Sequence, residues 1–367
     1  MQYELADYQQ NSDFYEDFTL LATVKSFDLQ AIRERYLKTR AKKSNRTGSV
    51  ERRKVAMGGV VHLEVARGKL QKSDVLAKLP EPRGIHFSGN TVALSSENKV
   101  FIIEGQQVFT ITDPWFSYIH TVQLKTDEPG KILVSSSGFD SIFEYDYRNN
   151  RKTFEWFAWE NGFPYGRDPE SGEKVYITRQ QSQHVSYQQE NIPHLYIENP
   201  EEETLPTAKR AAFINSVVYH KVPNLMMATF FHEGAVFSID RQTGKAVKQL
   251  SGLKNPHGGQ PLGDKVLGTS TGAGAVVVGD ADEQTVYNFS KLQGKPTSLN
   301  DMEWIQNTIV VNGNFVSIDS NRNALVIFNP QKRLIDFIPY DDNWALQDLC
   351  VADLDDRQVE KIRQLGK

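Results

Sequence analysis

The sequence predicts an all-β fold: a six-bladed β-propeller, closed by strands from both termini, with two long loop insertions on one face. Three observations lead to this prediction. Short apolar runs with a period of two are bounded by Gly, Asn and Asp turns, which indicates strands rather than helices. A four-strand template recurs along the chain, and its pitch of roughly 40–45 residues is typical of propeller blades. The composition is 39% apolar, which supplies a core and excludes wholesale disorder.

The clearest repeat has strands at 119–124, 131–136, 141–146 and 152–157. Polar residues open the innermost strand of this repeat and of its four siblings: His86, His120, Asn215, His257 and Asp301. The spacing is 34 residues from His86 to His120, 42 from Asn215 to His257, and 44 from His257 to Asp301. The spacing from His120 to Asn215 is 95, one repeat plus an excess that matches an insertion at 158–212.

The sixth blade must be assembled from both ends of the chain. Runs at 18–24, 59–66 and 71–79 have strand character, and 346–352 is expected to supply the innermost strand. Closing the ring in this way removes the exposed edges of an open sheet. The prediction is therefore one domain, 1–367, with a basic loop insertion at 27–57, a lid-like insertion at 158–212 and a C-terminal capping helix at 353–367.

The composition also restricts compartment and partners. No apolar run approaches the ~18 residues of a membrane span, and the start Met1-Gln2-Tyr3-Glu4 lacks the pattern of an export signal. Cys350 is the only cysteine, so no intrachain disulfide framework can form. We expect a cytoplasmic protein without a membrane partner; the sequence leaves its oligomeric state open.

One local element suggests a family resemblance. His120-Thr121-Val122-Gln123-Leu124, followed by Gly130-Lys131-Ile132-Leu133-Val134, is similar to the blade openings of bacterial arylsulfotransferases. Over 18–352 the chain resembles the broad six-bladed group that also includes SMP-30/gluconolactonase proteins and strictosidine-synthase-like proteins. Gluconolactonase-like members bind a divalent metal through carboxylate and Asn side chains, whereas this chain presents mainly His at comparable places.

The innermost strands of a propeller begin at one rim of its central channel, so the five polar strand openers are expected to meet there. Imidazole suits Zn²⁺, Fe²⁺ and similar transition metals, and three His with a carboxylate could form a catalytic centre. The first hypothesis is therefore a divalent transition metal bound by four of these residues: His86, His120, His257 and Asp301.

Two alternatives stay open. In the second hypothesis His120 or His257 acts as a metal-free general acid or base, Asp301 orients it and Asn215 donates a hydrogen bond to the substrate. In the third, these side chains merely line a water-filled channel.

The insertions and turns of the same face supply further candidates. Between Arg33 and Lys54 there are ten basic and two acidic residues, so this segment either attracts an anion or is simply a solvated arm. The second insertion could contribute Arg179 and His184 to a closed site, and neighbouring turns could contribute Asp140 and His232. Nucleic acid is an unlikely partner, since no second basic patch with interleaved aromatics is present.

The favoured function is that of an enzyme, a hydrolase or lyase acting on a small anionic or polar metabolite. One alternative is a non-enzymatic scaffold that binds a protein or ligand. Another is arylsulfotransferase-like group transfer involving His120.

Overall fold

A computed structural model of the chain describes residues 1–41 and 55–367. Within that part, strands form six sheets of four or five strands and one small sheet of three. The innermost strands of the six larger sheets contact one another in a closed cyclic order, so the all-β propeller prediction is confirmed. We number the blades 1 to 6 in the order of their innermost strands.

Blades 1 to 3 are four-stranded antiparallel sheets built from consecutive segments. Blade 1 contains Ile85–Ser88, Thr91–Ser96, Lys99–Glu104 and Gln107–Thr112. Blade 2 contains Ile119–Leu124, Lys131–Ser136, Ser141–Asp146 and Arg151–Phe157. Blade 3 contains Ile214–Tyr219, Leu225–Phe230, Ala235–Asp240 and Ala246–Leu250.

Blades 4 and 5 each gain a fifth, outermost strand from the N-terminus. Blade 4 contains Pro256–Leu262, Lys265–Ser270, Ala275–Gly279 and Gln284–Asn288, with Gln2–Glu4 pairing in parallel. Blade 5 contains Ile305–Val311, Asn314–Asp319, Ala324–Asn329 and Leu334–Pro339, with Gln9–Gln10 pairing in parallel. Leu5, between the two added strands, is fully buried, so the N-terminal segment is part of the fold.

Blade 6 joins the two ends of the chain, as the sequence predicts. The C-terminal strand Leu346–Val351 is innermost and pairs with Phe18–Val24, which is followed outward by Met57–Ala66 and Lys69–Pro80. Helix α3, Asp356–Leu365, follows; the Asp355 side chain accepts a hydrogen bond from the Gln358 backbone N–H at its start, and Ile362 is buried.

Both insertions cover the rim at which the innermost strands begin. The first contains helix α1, Leu29–Ala41, whose Ile32 and Leu37 pack against Leu299 and Met302 beside blade 5. The second contains the three-stranded sheet Tyr165–Arg167, Lys174–Thr178 and His194–Tyr196, and helix α2, Gln181–Gln189. It reaches the rim of blade 2, where the Leu205 backbone N–H donates to the Gly138 carbonyl.

Candidate active site

Strand register identifies six equivalent positions at this rim. In blade 2, Ile119 pairs with Ser136 and Thr121 with Ser135, so the chain bulges at His120. Asn215 is the bulged residue of blade 3, and His257 follows the first paired residue of blade 4. The same reasoning places Gln306 in blade 5 and Gln347 in blade 6.

In blade 1 the equivalent residue is Arg83. The Gly84 N–H donates to the Ser95 hydroxyl as the Thr121 N–H donates to that of Ser135, which aligns Gly84 with Thr121. A Cβ on Gly84 would lie 2.6 Å from the Cα of Thr121, so glycine lets blade 1 approach blade 2. We call the six equivalent residues the rim set: Arg83, His120, Asn215, His257, Gln306 and Gln347.

The structure therefore brings together three of the five predicted strand openers and separates the other two. His86 lies three positions further along its strand than Arg83, about 10 Å at the ~3.3 Å rise of a strand. It lines a 380 Å³ cavity in the channel together with Gln123. Asp301 is exposed and precedes the first strand of blade 5, which begins at Ile305.

The predicted metal ligand set is consequently not assembled. Within residues 1–41 and 55–367 no group of three or more His, Cys, Asp or Glu side chains could hold a metal ion. His120 and His257 are close, with ring centroids 6.5 Å apart, but neither His86 nor Asp301 completes a set with them. A transition metal at this rim stays a prediction without a ligand set in the described residues.

His120 is held in a single neutral form by two hydrogen bonds. The guanidinium of Arg83 lies 3.2 Å from Nε2 through Nη1, and because a guanidinium can only donate, Nε2 is the acceptor. Nδ1 therefore carries the proton, and it lies 3.2 Å from the Tyr118 carbonyl oxygen. Burial and then the neighbouring Arg83 lower the pKa of His120 well below its usual value.

His257 differs from His120 in its hydrogen bonding. Its Nδ1 is paired with a side chain of the protein, whereas its Nε2 is available to a ligand. Nδ1 lies 2.7 Å from the Thr271 hydroxyl, and the Asn255 backbone also hydrogen-bonds to the ring; no side chain among the described residues pairs with Nε2. Burial, followed by the charge of Lys25, lowers the pKa of His257 to about 3, so the imidazole is neutral at pH 7. Of the two predicted catalytic imidazoles, only His257 has a nitrogen in position for proton transfer.

Several buried polar atoms of the rim set have no hydrogen-bond partner in the described part of the chain. They are Nε of Arg83, Oδ1 of Asn215 and Oε1 of Gln347. These side chains are only 3%, 2% and 4% exposed, so each unpaired atom carries a substantial desolvation cost. Such atoms are expected where a ligand or ordered water completes the hydrogen bonds.

The surroundings are cationic. Arg83 pairs with Glu81, and both are buried. Arg210 is 1% exposed; its guanidinium lies 4.8 Å from the ring centroid of Phe213, and its charge helps to lower the pKa of His120. Lys25, 9% exposed, lies 5.3 Å from the Trp304 ring. Three buried cations, Arg83, Lys25 and Arg210, therefore act on the two imidazoles.

The backbone under the rim set is strained in a repeated way. In blades 1 to 4, the residue two positions before the rim residue has a left-handed conformation: Glu81, Tyr118, Phe213 and Asn255, with φ of 37°, 49°, 52° and 50°. This region is unfavourable for bulky residues such as Tyr and Phe. Strain of this kind concentrates at functional sites.

Two cavities meet at Glu81. One, of 260 Å³, is lined by Arg83, Tyr118 and Glu97, and the other, of 390 Å³, is lined by Lys25 and Arg35 of the first insertion. Both are large enough for a small metabolite. Helix α1 lies over this region, and the ring centroids of Tyr36 and Trp304 are 5.6 Å apart.

The four residues predicted to bind substrate from turns and insertions mostly serve the fold. Asp140 is buried and accepts hydrogen bonds from the backbone N–H groups of Ala212 and Ile214, so it is not open to a substrate. His232 is at the rim, where Nε2 lies 2.9 Å from the Thr207 carbonyl oxygen.

Arg179 and His184 belong to the second insertion and do not reach the rim set. Arg179 pairs with Glu155 and Glu160 and lies 4.0 Å over the Phe157 ring. His184 lies within the insertion, with its Nδ1 2.9 Å from Nε2 of His194. Most basic residues of the 33–54 segment lie outside the described residues, so its predicted role as an anion flap is untested.

Sequence reasoning missed Arg83, Gln306 and Gln347. A usable signal existed, because every rim residue precedes a residue of small or compact polar type: Gly84, Thr121, Ser216, Gly258, Asn307 and Asp348. The choice of His86 followed from matching histidines instead, which shifted the alignment of blade 1 by three positions.

Comparison with known proteins supports the fold. A chain in the crystal structure of a nidogen/laminin complex aligns with a TM-score of 0.53 and 10% identity, over 91% of this chain and 98% of that chain. A protein of unknown function from Bacteroides caccae aligns with a TM-score of 0.51 and 10% identity, over 92% of this chain and 100% of that chain. Virginiamycin B lyase from Staphylococcus aureus aligns with a TM-score of 0.42 and 12% identity, over 71% and 84%.

The two alignments with a TM-score above 0.5 show a β-propeller and nothing finer. No protein-family model matches the sequence, and no curated protein matches it. The resemblance to gluconolactonase, strictosidine-synthase-like and arylsulfotransferase-like proteins stays a prediction. Of the helices in the described residues, none has the length and apolar character needed to cross a membrane.

Proposed function

We propose that the protein binds a small anionic metabolite at the rim set and transfers a proton to or from it through His257, as a metal-free hydrolase or lyase. One observation carries the proposal: six equivalent positions hold an arginine, two neutral imidazoles and three amides around one channel opening, and three of their buried atoms have no partner in residues 1–41 and 55–367. The cations around the opening favour a carboxylate, phosphate or sulfate group over a neutral ligand.

The residues have distinct roles in this proposal. Arg83 uses Nη1 for His120 and Nη2 for Glu81, which leaves Nε for the anion. His120 fixes the guanidinium and takes no part in proton transfer, because its only acceptor nitrogen is occupied. The same occupancy argues against group transfer to His120. A bound anion would raise the pKa of His257 by offsetting the charge of Lys25.

Histidine NMR of the full-length protein tests the proposal. Phosphate, sulfate and small carboxylates are titrated separately while the imidazole resonances are followed. We expect saturable shifts of the His120 and His257 signals and no saturable shift of His220, whose Nδ1 accepts from the Val222 backbone N–H away from the rim. His257→Gln should weaken binding at least ten-fold, whereas the matched control His220→Gln should leave the affinity within two-fold.

Three outcomes would count against it. Absence of any saturable shift would remove the anion site and favour the scaffold alternative. Equal effects of His257→Gln and His220→Gln would remove the role of His257. About one equivalent of a transition metal in protein purified without a histidine tag, lost in His257→Gln, would restore the metal hypothesis in place of metal-free chemistry.

A further inference from the structure

The unpaired atoms of the rim set include acceptors, and a deprotonated carboxylate or sulfate has no proton to donate to an acceptor. Asn215 is the informative case because the orientation of its amide is fixed. Its Nδ2 donates to the Pro256 carbonyl oxygen at 2.8 Å, so Oδ1 is the free atom, and that atom is buried without a partner among the described residues. A ligand group that pairs with Oδ1 must donate a hydrogen bond.

Gln347, in the blade opposite Asn215, presents a second buried amide oxygen. Its Oε1 is likewise buried and unpaired in the described part of the chain, and the residue is 4% exposed. The third amide of the set, Gln306, accepts from Nε1 of Trp304 at 2.8 Å, so its oxygen is engaged. The rim set therefore contains two buried acceptors without a partner among the described residues, in addition to the Nε donor of Arg83.

We infer that the anion bound at the rim set also carries hydroxyl groups, which donate to Oδ1 of Asn215 and Oε1 of Gln347; this inference rests on the proposed function. An ammonium group could also donate, but it would lie among Arg83, Lys25 and Arg210 and be repelled by them. A hydroxyl group is uncharged and is not repelled by these cations. The ligand class is thus a hydroxylated carboxylic acid or hydroxylated phosphate rather than a plain or amino-substituted acid.

Matched acids that differ in one group provide the test. Affinities of the full-length protein are measured by calorimetry or NMR for L-malate, succinate and L-aspartate, and for glycerol 3-phosphate against propyl phosphate. We expect the hydroxylated member of each series to bind at least ten-fold more tightly, because a site built to pair with a hydroxyl rejects the analogue that lacks it.

Variants locate the effect. Gln347→Met keeps the length of the side chain, removes the acceptor and should reduce the preference for the hydroxylated acid to less than three-fold. Asn215→Leu is a second variant with the same expectation, and its fold is checked by circular dichroism because it also loses the bond to Pro256. The control Gln249→Met, on the outermost strand of blade 3, should retain the full preference.

The outcomes separate this inference from the proposed function. If plain and hydroxylated acids bind equally, the acceptors are satisfied by water; the inference is then wrong while the anion site stands. If L-aspartate binds best, the donor is an ammonium group and the hydroxyl assignment is wrong. If no acid of either series binds, the proposed function itself fails.

Discussion

Replacing Arg83 by methionine should be far more damaging than its single position suggests. The guanidinium is 3% exposed and pairs with Glu81, which is 7% exposed, so the substitution removes one side of a buried ion pair. Breaking a buried ion pair from one side costs about 3–5 kcal/mol. The Nε2 acceptor of His120 loses its donor in the same step, at about 1 kcal/mol.

The assay is urea unfolding at pH 7 of four proteins: wild type, Arg83→Met, Glu81→Gln and the double variant. Glutamine is neutral, so the double variant has no buried carboxylate at position 81. It should therefore recover at least half of the unfolding free energy that Arg83→Met loses.

Arg148→Met is the matched control. Arg148 pairs with Glu104 at the surface, where its side chain is 45% exposed, and such pairs contribute about 0–1 kcal/mol. If Arg83→Met and Arg148→Met destabilise equally, or if the double variant is no more stable than Arg83→Met, the buried pair is not what holds this rim together.

Three further predictions concern stability, each measured by urea unfolding. Lowering the pH from 6.5 to 5 should destabilise wild type by about 2 kcal/mol through His257 alone, because the unfolded imidazole binds a proton that the folded one, with its pKa of about 3, does not. His257→Gln should remove that part of the decline and leave the part due to His86 and His120, whose pKa values burial also lowers, and an unchanged slope would contradict the assigned pKa. Leu5→Ala should lower the free energy of unfolding by about 2–4 kcal/mol although Leu5 lies in the N-terminal segment. The control Val108→Ala, at an exposed position, should lower it by under about 0.5 kcal/mol. Equal effects would refute the structural role of the N-terminal segment. Asp355→Ala should lower the free energy of unfolding by about 1 kcal/mol, because it removes the N-terminal cap of α3. The neighbouring control Asp356→Ala should have a smaller effect. No loss in Asp355→Ala would show that α3 contributes little to stability.

The architecture was predictable because each blade repeats the same pattern of strands and turns. Alternating apolar residues and turn residues fix strands locally, and the repeat spacing fixes their number. Even the closure of blade 6 by Leu346–Val351 and Phe18–Val24 follows from the need to remove open edges. The N-terminal pairs Gln2–Glu4 and Gln9–Gln10 were not predictable, since two or three polar residues added in parallel to an outer strand carry no periodic signal.

The site was predictable only where repeat and register agreed. His120, Asn215 and His257 were found because a polar residue there stands at the start of an apolar run. The prediction of the rim residue in blade 1 was wrong because the innermost strand, Ile85–Ser88, is short and Arg83 precedes it in an irregular segment. Gln306 and Gln347 were not predicted for a chemical reason: an amide has none of the acid-base or metal-binding reactivity that marks histidine as a candidate.

Equivalence in the fold therefore does not imply equivalence in chemistry. His120 and His257 occupy the same position in blades 2 and 4, yet one nitrogen of His120 is committed to Arg83 and the other to a backbone carbonyl, whereas Nδ1 of His257 faces a hydroxyl. The difference arises from the preceding blade: blade 1 contributes an arginine beside His120, while the equivalent residue of blade 3, which precedes the blade of His257, is Asn215, and its amide donates to the Pro256 carbonyl oxygen. A symmetric scaffold thus provides one imidazole that positions a cation and a second that can exchange a proton, because the residues flanking each are not repeated.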